Sequence, residues 1–220
     1  MEITAGIALA AGAAWASGLN VYAVVLVLGL LGSTGYMTLP PDLEIMMHPL
    51  VLVAAGFMYC VEFFADKTPG IDTGWDAIHT FIRIPAGAVL AAAALGEMDP
   101  TIQVAAFIIG GGLAASSHTV KAGSRIMLNT SPEPVSNWAA SVTEDILVVV
   151  GLWAALNHPL VFLCVLALII GLTIWFLPKL WRSIKHLGRS IKAFFSSSQR
   201  SNLGQDHPVK SLDNPPNTNN

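Results

Sequence analysis

The chain has 220 residues, 54% hydrophobic and only 11% charged, with a formal net charge of -3. Soluble domains carry about 25% charged residues, and the mean hydropathy is +0.62, so the composition excludes an ordinary water-soluble domain and predicts an integral membrane protein. No folded part combines a basic patch with interleaved aromatics, which excludes a nucleic-acid reader.

Six apolar runs follow in order, near 4–34, 50–66, 76–96, 102–121, 138–156 and 159–178. Each is predicted to span as a helix, since crossing takes about 20 residues and a helix pairs its own backbone groups in lipid. The opening "MEITAGIALAAGAAWASG" carries Glu2 where a secretory signal carries positive charge, so it is expected to belong to the mature protein. The first run is too long for one straight span. Its "ASGLN", with Ser17, Gly18 and Asn20, predicts either one tilted helix or two short pieces. The fourth run contains "GGGLAASSHT" at 110–119, which fits close packing through small residues or a broken helix lining a site. Cys60 and Cys164 lie inside apolar runs and are expected as buried free thiols; so far apart they form no metal or redox motif.

Lys and Arg orient the chain. The loops at 35–49, 97–101 and 156–159 contain neither, while Lys67, Arg83, Lys121, Arg125 and the cluster from Lys179 to Lys192 fall on the other side. The positive-inside rule places that side in the cytoplasm and, with six crossings, both termini as well.

A repeat runs through the basic side. "TPGIDTGW" at 68–75 aligns with "SPEPVSNW" at 131–138, matching Thr68 to Ser131, Pro69 to Pro132 and Trp75 to Trp138. The expected unit is a duplicated helical hairpin, near 50–96 and 108–156, with Thr73 and Ser136 capping the outgoing helices and both Trp residues at the interface. "HPLV" at 48–51 and 158–161 places Pro in the first turn of a span, where its missing N–H costs nothing.

The ionisable residues further in need another account. Asp76, His79 and Arg83 share one helical face. Glu144 and Asp145 lie about as deep in the matching span, Glu62 precedes Asp66 by one turn, and Lys121 precedes Arg125 by one turn. Intramembrane charges are costly and usually paired. Arg83 is therefore expected to meet Glu144 or Asp145, and Arg125 to pair with Glu62. The candidate pathway residues are Glu62, Asp66, Lys67, Asp72, Asp76, His79, Arg83, His118, Arg125, Glu144 and Asp145.

The stretch "ASGLNVY … EFFADKTPGIDTGWDAIHTFIRIPAGA … NTSPEPVSNWAASVTED" resembles the bacterial membrane family catalogued as domain of unknown function 4126, over roughly residues 3–180. That resemblance implies a multi-pass bacterial inner-membrane protein and supplies no activity. "EFFADKT" is more weakly similar to the E-x-G-D-K-T/S element of a duplicated cation-exchanger family, with one extra residue and no glycine. The second copy has Arg125 and Asn129 where Glu62 and Asp66 stand in the first.

After Pro178 the chain reads as a basic amphipathic helix over 179–195, with Leu180, Trp181, Ile184, Leu187 and Ile191 opposite Arg182, Lys185, Arg189 and Lys192. It is expected to lie on anionic lipid headgroups. Residues 196–220 are polar and rich in Pro and Asn, and are expected to be disordered.

The fold class is therefore all-α: a polytopic bundle of about six spans over residues 1–178, with an interfacial helix and a tail. The functional reading is a small transporter or channel-like protein with a polar, cytoplasm-facing site. The alternatives are a structural or accessory protein whose charges only hold helices together, and a lipid-active enzyme using His79 or His118 with a nearby carboxylate. No nucleophile motif, P-loop or metal-ligand spacing supports the enzyme, so neither cofactor nor metal is expected. The expected partners are the bilayer and its anionic lipids; a homo-oligomer is compatible with the sequence.

Overall fold

The computed structural model describes residues 2–68, 70–96, 98–129, 134–175, 178–179 and 182. The chain divides into two compact units, Met1–Trp181 and Arg182–Asn220, and the helices below belong to the first. They are α1 (Ile3–Ser33), a short 3₁₀ helix (Pro41–Met47), α2 (Pro49–Ala65), α3 (Ile71–Ala94), α4 (Pro100–Leu128) and α5 (Pro134–Asn157), followed by α6 (Pro159–Trp175). Each of the six apolar runs is thus helical, and no strand occurs among the described residues. Of the expected tail helix only Lys179 and Arg182 are described, both helical; the rest of 179–195 and all of 196–220 lie outside the described residues, as do Pro69, Ser131 and Pro132.

Local chemistry sets the helix starts. Pro49, Pro100 and Pro159 occupy first turns. His48 Nδ1 accepts from the Leu50 amide at 3.2 Å and Asp99 Oδ1 from the Thr101 amide at 2.8 Å. The Thr101 hydroxyl and then its amide hold the Asp99 carboxyl below its usual range. At α3 the turn needs Gly70, whose φ of 86° suits a residue without a Cβ. Asp72 Oδ1, rather than Thr73, accepts the Gly70 and Thr73 amides, at 2.9 and 2.6 Å.

Four helices, α1, α3, α4 and α5, are long and apolar enough to cross a membrane; the 3₁₀ helix and α2, bent by 70°, qualify as a fifth when taken together. The side-chain distribution is inside out relative to a water-soluble fold. On α3, Asp72, Asp76, His79 and Arg83 are buried, while Ile78, Phe81 and Val89 are exposed. On α4, Ser117, His118, Lys121 and Arg125 are buried, while Val104, Phe107 and Ile108 are exposed. Water would reverse this pattern; hydrocarbon favours it. Cys60 and Cys164 are free and exposed on this apolar surface, not buried.

Helix α1 departs from a simple crossing. Thirty-one residues of straight helix hold their ends about 45 Å apart. Yet Glu2 and Gly6 share a cavity of about 480 Å³ with Thr38, Leu39, Pro40, Ala94, Leu95 and Met98, and the chain from Ser33 to Thr38, extended at about 3.6 Å per residue step, reaches at most about 18 Å. The chain must fold back, and Asn20 (φ -154°, ψ 98°) is where helical geometry fails. The neighbours trace the path. Gly12 lies against Ala155 and Gly18 against Ala114 and Ser117; then Gly29 lies against Met46 and Leu52, and Gly32 against Leu39 and Met47. The first run is therefore two half-helices that enter and leave by the same end of the bundle, and residues 2–6 sit at the end that carries the loops without Lys or Arg. The fourth run is one continuous helix.

This re-entrant pair is the most buried element and packs against α2, α3, α4 and α5. Its Ala- and Gly-rich sequence allows that approach. α3 and α4 run along each other, with Gly87 against Ala114 and Gly110 against Ala91. The sequential pairs α2/α3 and α4/α5 barely touch along their backbones.

Candidate functional site

The break in α1 frees backbone groups that a buried site must satisfy. Ser117 Oγ donates to the Trp15 carbonyl at 2.7 Å, and Lys121 Nζ donates to the Leu19 carbonyl at 2.9 Å. Asn20 caps the second half-helix: its Oδ1 accepts from the Ala23 amide at 2.9 Å, while its Nδ2 donates to Asp145 Oδ1 at 3.3 Å. Ser17 Oγ donates to the Arg83 carbonyl at 3.0 Å. The tip thus ends among the charged residues of the surrounding helices.

Three fully buried cations sit there: Arg83, Lys121 and Arg125. Arg83 forks, with Nη2 at 2.8 Å from Glu62 Oε1 and Nη1 at 2.7 Å from Asp76 Oδ1. Arg125 Nη2 lies 2.7 Å from Glu144 Oε2 and 3.7 Å from Asp66 Oδ2, and its Nη1 donates to the carbonyls of Asp66 and Asn137. Lys121 stands between the two groups. Its Nζ is 2.7 Å from Asp66, 3.3 Å from Glu144, 3.5 Å from Glu62 and 4.0 Å from Asp76. One ammonium, with three protons to give, faces four carboxylates and a helix-end carbonyl.

The pairing differs from the expected one. Arg83 takes Glu62 and Asp76 rather than Glu144 or Asp145, and Arg125 takes Glu144 rather than Glu62. Asp76 is two turns back on Arg83's own buried face, within reach of a guanidinium. Asp145 is instead engaged by Asn20 at the tip.

The other candidates surround this centre. His118 Nδ1 lies 3.2 Å from Arg83 Nη1, which can only donate; Nε2 therefore carries the proton and donates to Thr80 Oγ1 at 2.7 Å. His79 Nδ1 donates to the Trp75 carbonyl at 2.9 Å, its Nε2 meets the Tyr22 hydroxyl at 3.1 Å, and its ring stacks on Trp75. Asp72 is tied to the second repeat loop by Asn129 Nδ2 at 2.7 Å and Asn137 Nδ2 at 3.3 Å. Lys67 Nζ donates to the Phe63 carbonyl and Ser141 Oγ, both at 3.2 Å, and lies over the Phe63 ring. Burial lowers its affinity for the proton, against the opposing charges of Asp145 and Asp66. Thr68 Oγ1 donates to the Phe64 carbonyl, closing the turn. Trp138 is half exposed, its ring centroid 5.3 Å from Lys67 Nζ.

Lys121 is not one of the sequence candidates, although it makes the most ionic contacts of the cluster. Its sequence signal is its position one turn before Arg125. Ser117, Asn129, Asn137 and Ser141 are not candidates either. Their roles depend on which helix lies opposite, and spacing along a single helix does not carry that.

Apolar exposed faces around a charged interior, together with helices long enough to cross a bilayer, define an α-helical membrane protein with an ionic centre. No curated protein and no solved structure matches the chain. The chain belongs to the family described as Domain of unknown function (DUF4126), whose model matches residues 7–179.

Proposed function

We propose that this protein is a small transporter or channel-like protein of the bacterial inner membrane, with its polar site in the cytoplasmic half of the bilayer. The observation that carries this reading is the broken helix: both half-helix ends of α1 stop among buried ionic side chains, held by Lys121 at Leu19 and by Asn20 at Ala23. Broken helices whose ends meet ionisable groups suit an ion or small polar solute inside a membrane, because unpaired backbone and charge are tolerated there only around a site. In this topology α2 to α6 cross, α1 is re-entrant from the outer face, and the basic loops face the cytoplasm. The N-terminus is then outside and the C-terminus inside.

The repeat supports a two-part site. Glu62 and Arg125 occupy equivalent positions 63 residues apart, and each pairs with an opposite charge on the next helix. One observation favours the second reading, a structural protein held by internal ion pairs: each cluster cation has a carboxylate within 2.8 Å. Liposomes containing purified protein, assayed with a panel of ions and small metabolites, decide between them. Flux that is lost in Lys121→Met while the protein stays folded supports transport. No flux for any solute, from protein shown to be folded and inserted, leaves the structural reading.

A further inference from the structure

The cluster does not balance. Four carboxylates, Glu62, Asp66, Asp76 and Glu144, face three cations, Arg83, Lys121 and Arg125, which leaves one surplus negative charge. Asp145 and Lys67 beside it cancel one another in this count. Asp72 is held by amide side chains outside these ion pairs, and counting it would only enlarge the negative surplus. Of the histidines, His118 accepts from the Arg83 guanidinium on one nitrogen and is neutral, while His79 meets the Trp75 carbonyl and the Tyr22 hydroxyl rather than a cluster carboxylate. A surplus charge so far from water is costly.

The acids themselves show where it is met. Oε2 of Glu62, Oδ1 of Asp66 and Oδ2 of Asp76 are buried without a hydrogen-bond partner among the described residues. Glu62 and Asp76 are held by the two arms of one guanidinium, so they are neighbours, and each keeps one oxygen free. Among the described residues no three acids, histidines or cysteines are grouped to hold a metal ion. A proton needs only one free carboxylate oxygen.

We propose that the cluster binds one exchangeable proton, shared by the Glu62 and Asp76 carboxyl groups that flank Arg83. The proton comes from the aqueous phase and returns to it, forming and breaking one O–H bond. The groups around it are Tyr22 and Asn20 from α1, Asp66 from the end of α2, His79 and Arg83 from α3, His118, Lys121 and Arg125 from α4, and Glu144 and Asp145 from α5. This assignment stands on the charge count and not on the transport reading; a protein that moved nothing would bind the proton all the same.

The test is infrared difference spectroscopy of the full chain in nanodiscs, titrated in choline chloride, sodium chloride and potassium chloride. The wild type is expected to gain one protonated-carboxyl band as pH falls, reversibly, with the same curve in all three salts. Glu62→Gln and Asp76→Asn should each abolish that band, and His79→Gln should keep it. Gel filtration and helical circular dichroism select folded variants, and the conservative Glu62→Asp provides a second, band-retaining comparison. A band that survives both Glu62→Gln and Asp76→Asn overturns the assignment. So does a wild type that shows none. A curve that moves with sodium or potassium means that a metal cation fills the deficit instead, and also overturns it.

Discussion

Replacing Arg83 by Met keeps most of its apolar stem and deletes the charge that two buried carboxylates share. At 2.8 Å from Glu62 and 2.7 Å from Asp76, each attraction is about 6 kcal/mol at an effective dielectric of about 20. Most of that offsets desolvation, and breaking a buried pair by removing one partner costs about 3–5 kcal/mol. Arg83→Met is expected to fall in that range, because Lys121, already 2.7 Å from Asp66, cannot fully replace the lost charge. The informative assay is a double-mutant cycle on unfolding in mixed micelles. Arg83→Met with Glu62→Gln should couple by about 1–3 kcal/mol, as contacting residues do. Arg83→Met with Glu144→Gln should couple less, because the two meet only indirectly, through Lys121, and Glu144 lies against Arg125. If the 83/144 cycle couples as strongly as the 83/62 cycle, the partition of the cluster is wrong.

Four further outcomes follow from other parts of the fold. Topology reporters placed before Ile3 and at Asp42 should report the same side, with one at Gly204 opposite; opposite signals from the first two would mean that α1 crosses. At the α3–α4 contact, Gly110→Ala drives a methyl into Ala91 and toward the Gly87 carbonyl and should cost about 1–3 kcal/mol in thermal stability. The same change at Gly112, which meets nothing within 4 Å, should be neutral or stabilise by up to about 1 kcal/mol; equal losses at both would contradict this packing. Asn20→Ala removes the cap of the second half-helix and should cost about 0.5–2 kcal/mol, visible as faster amide exchange at Ala23. The Asp99 cap, whose folded carboxyl lies below its usual value near 4, should hold through neutral pH. It should be lost only as pH falls through that lowered value, and Thr101 amide exchange across an acid titration measures it.

The helices were legible because hydropathy, proline and capping residues are local signals. All six apolar runs are helices, and the starts at Pro49, Pro100 and Pro159 follow the first-turn rule. The fold-back of α1 was only half legible. "ASGLN" marked the weak point, but both halves are equally apolar, so nothing in the run says which way the second half goes. That is decided by donors on α4, Ser117 and Lys121, about a hundred residues away. The ionic partners failed for a related reason. Matching depth in the repeat pointed Arg83 toward the second hairpin, whereas Asp76 on its own helix and Glu62 on the preceding one were the acids within reach.

The demands of the fold alone do not account for the cluster. In lipid, helices associate through close packing of small residues, and α1, α3 and α4 already have that at Gly18, Gly87 and Gly110. Buried ion pairs add little to such packing, since well-fitted apolar residues in their place are often neutral or stabilising. The tip of α1 does require polar partners, but Ser117, Lys121 and Asn20 meet that need. Glu62, Asp76 and Arg83 on one side, and Arg125 and Glu144 on the other, exceed it. They form two charged groups that Lys121 links by ion pairs among the described residues, and Lys121 also holds the end of the first half-helix. A change of charge in either group therefore alters what competes for that ammonium, and through it the bond that fixes the tip.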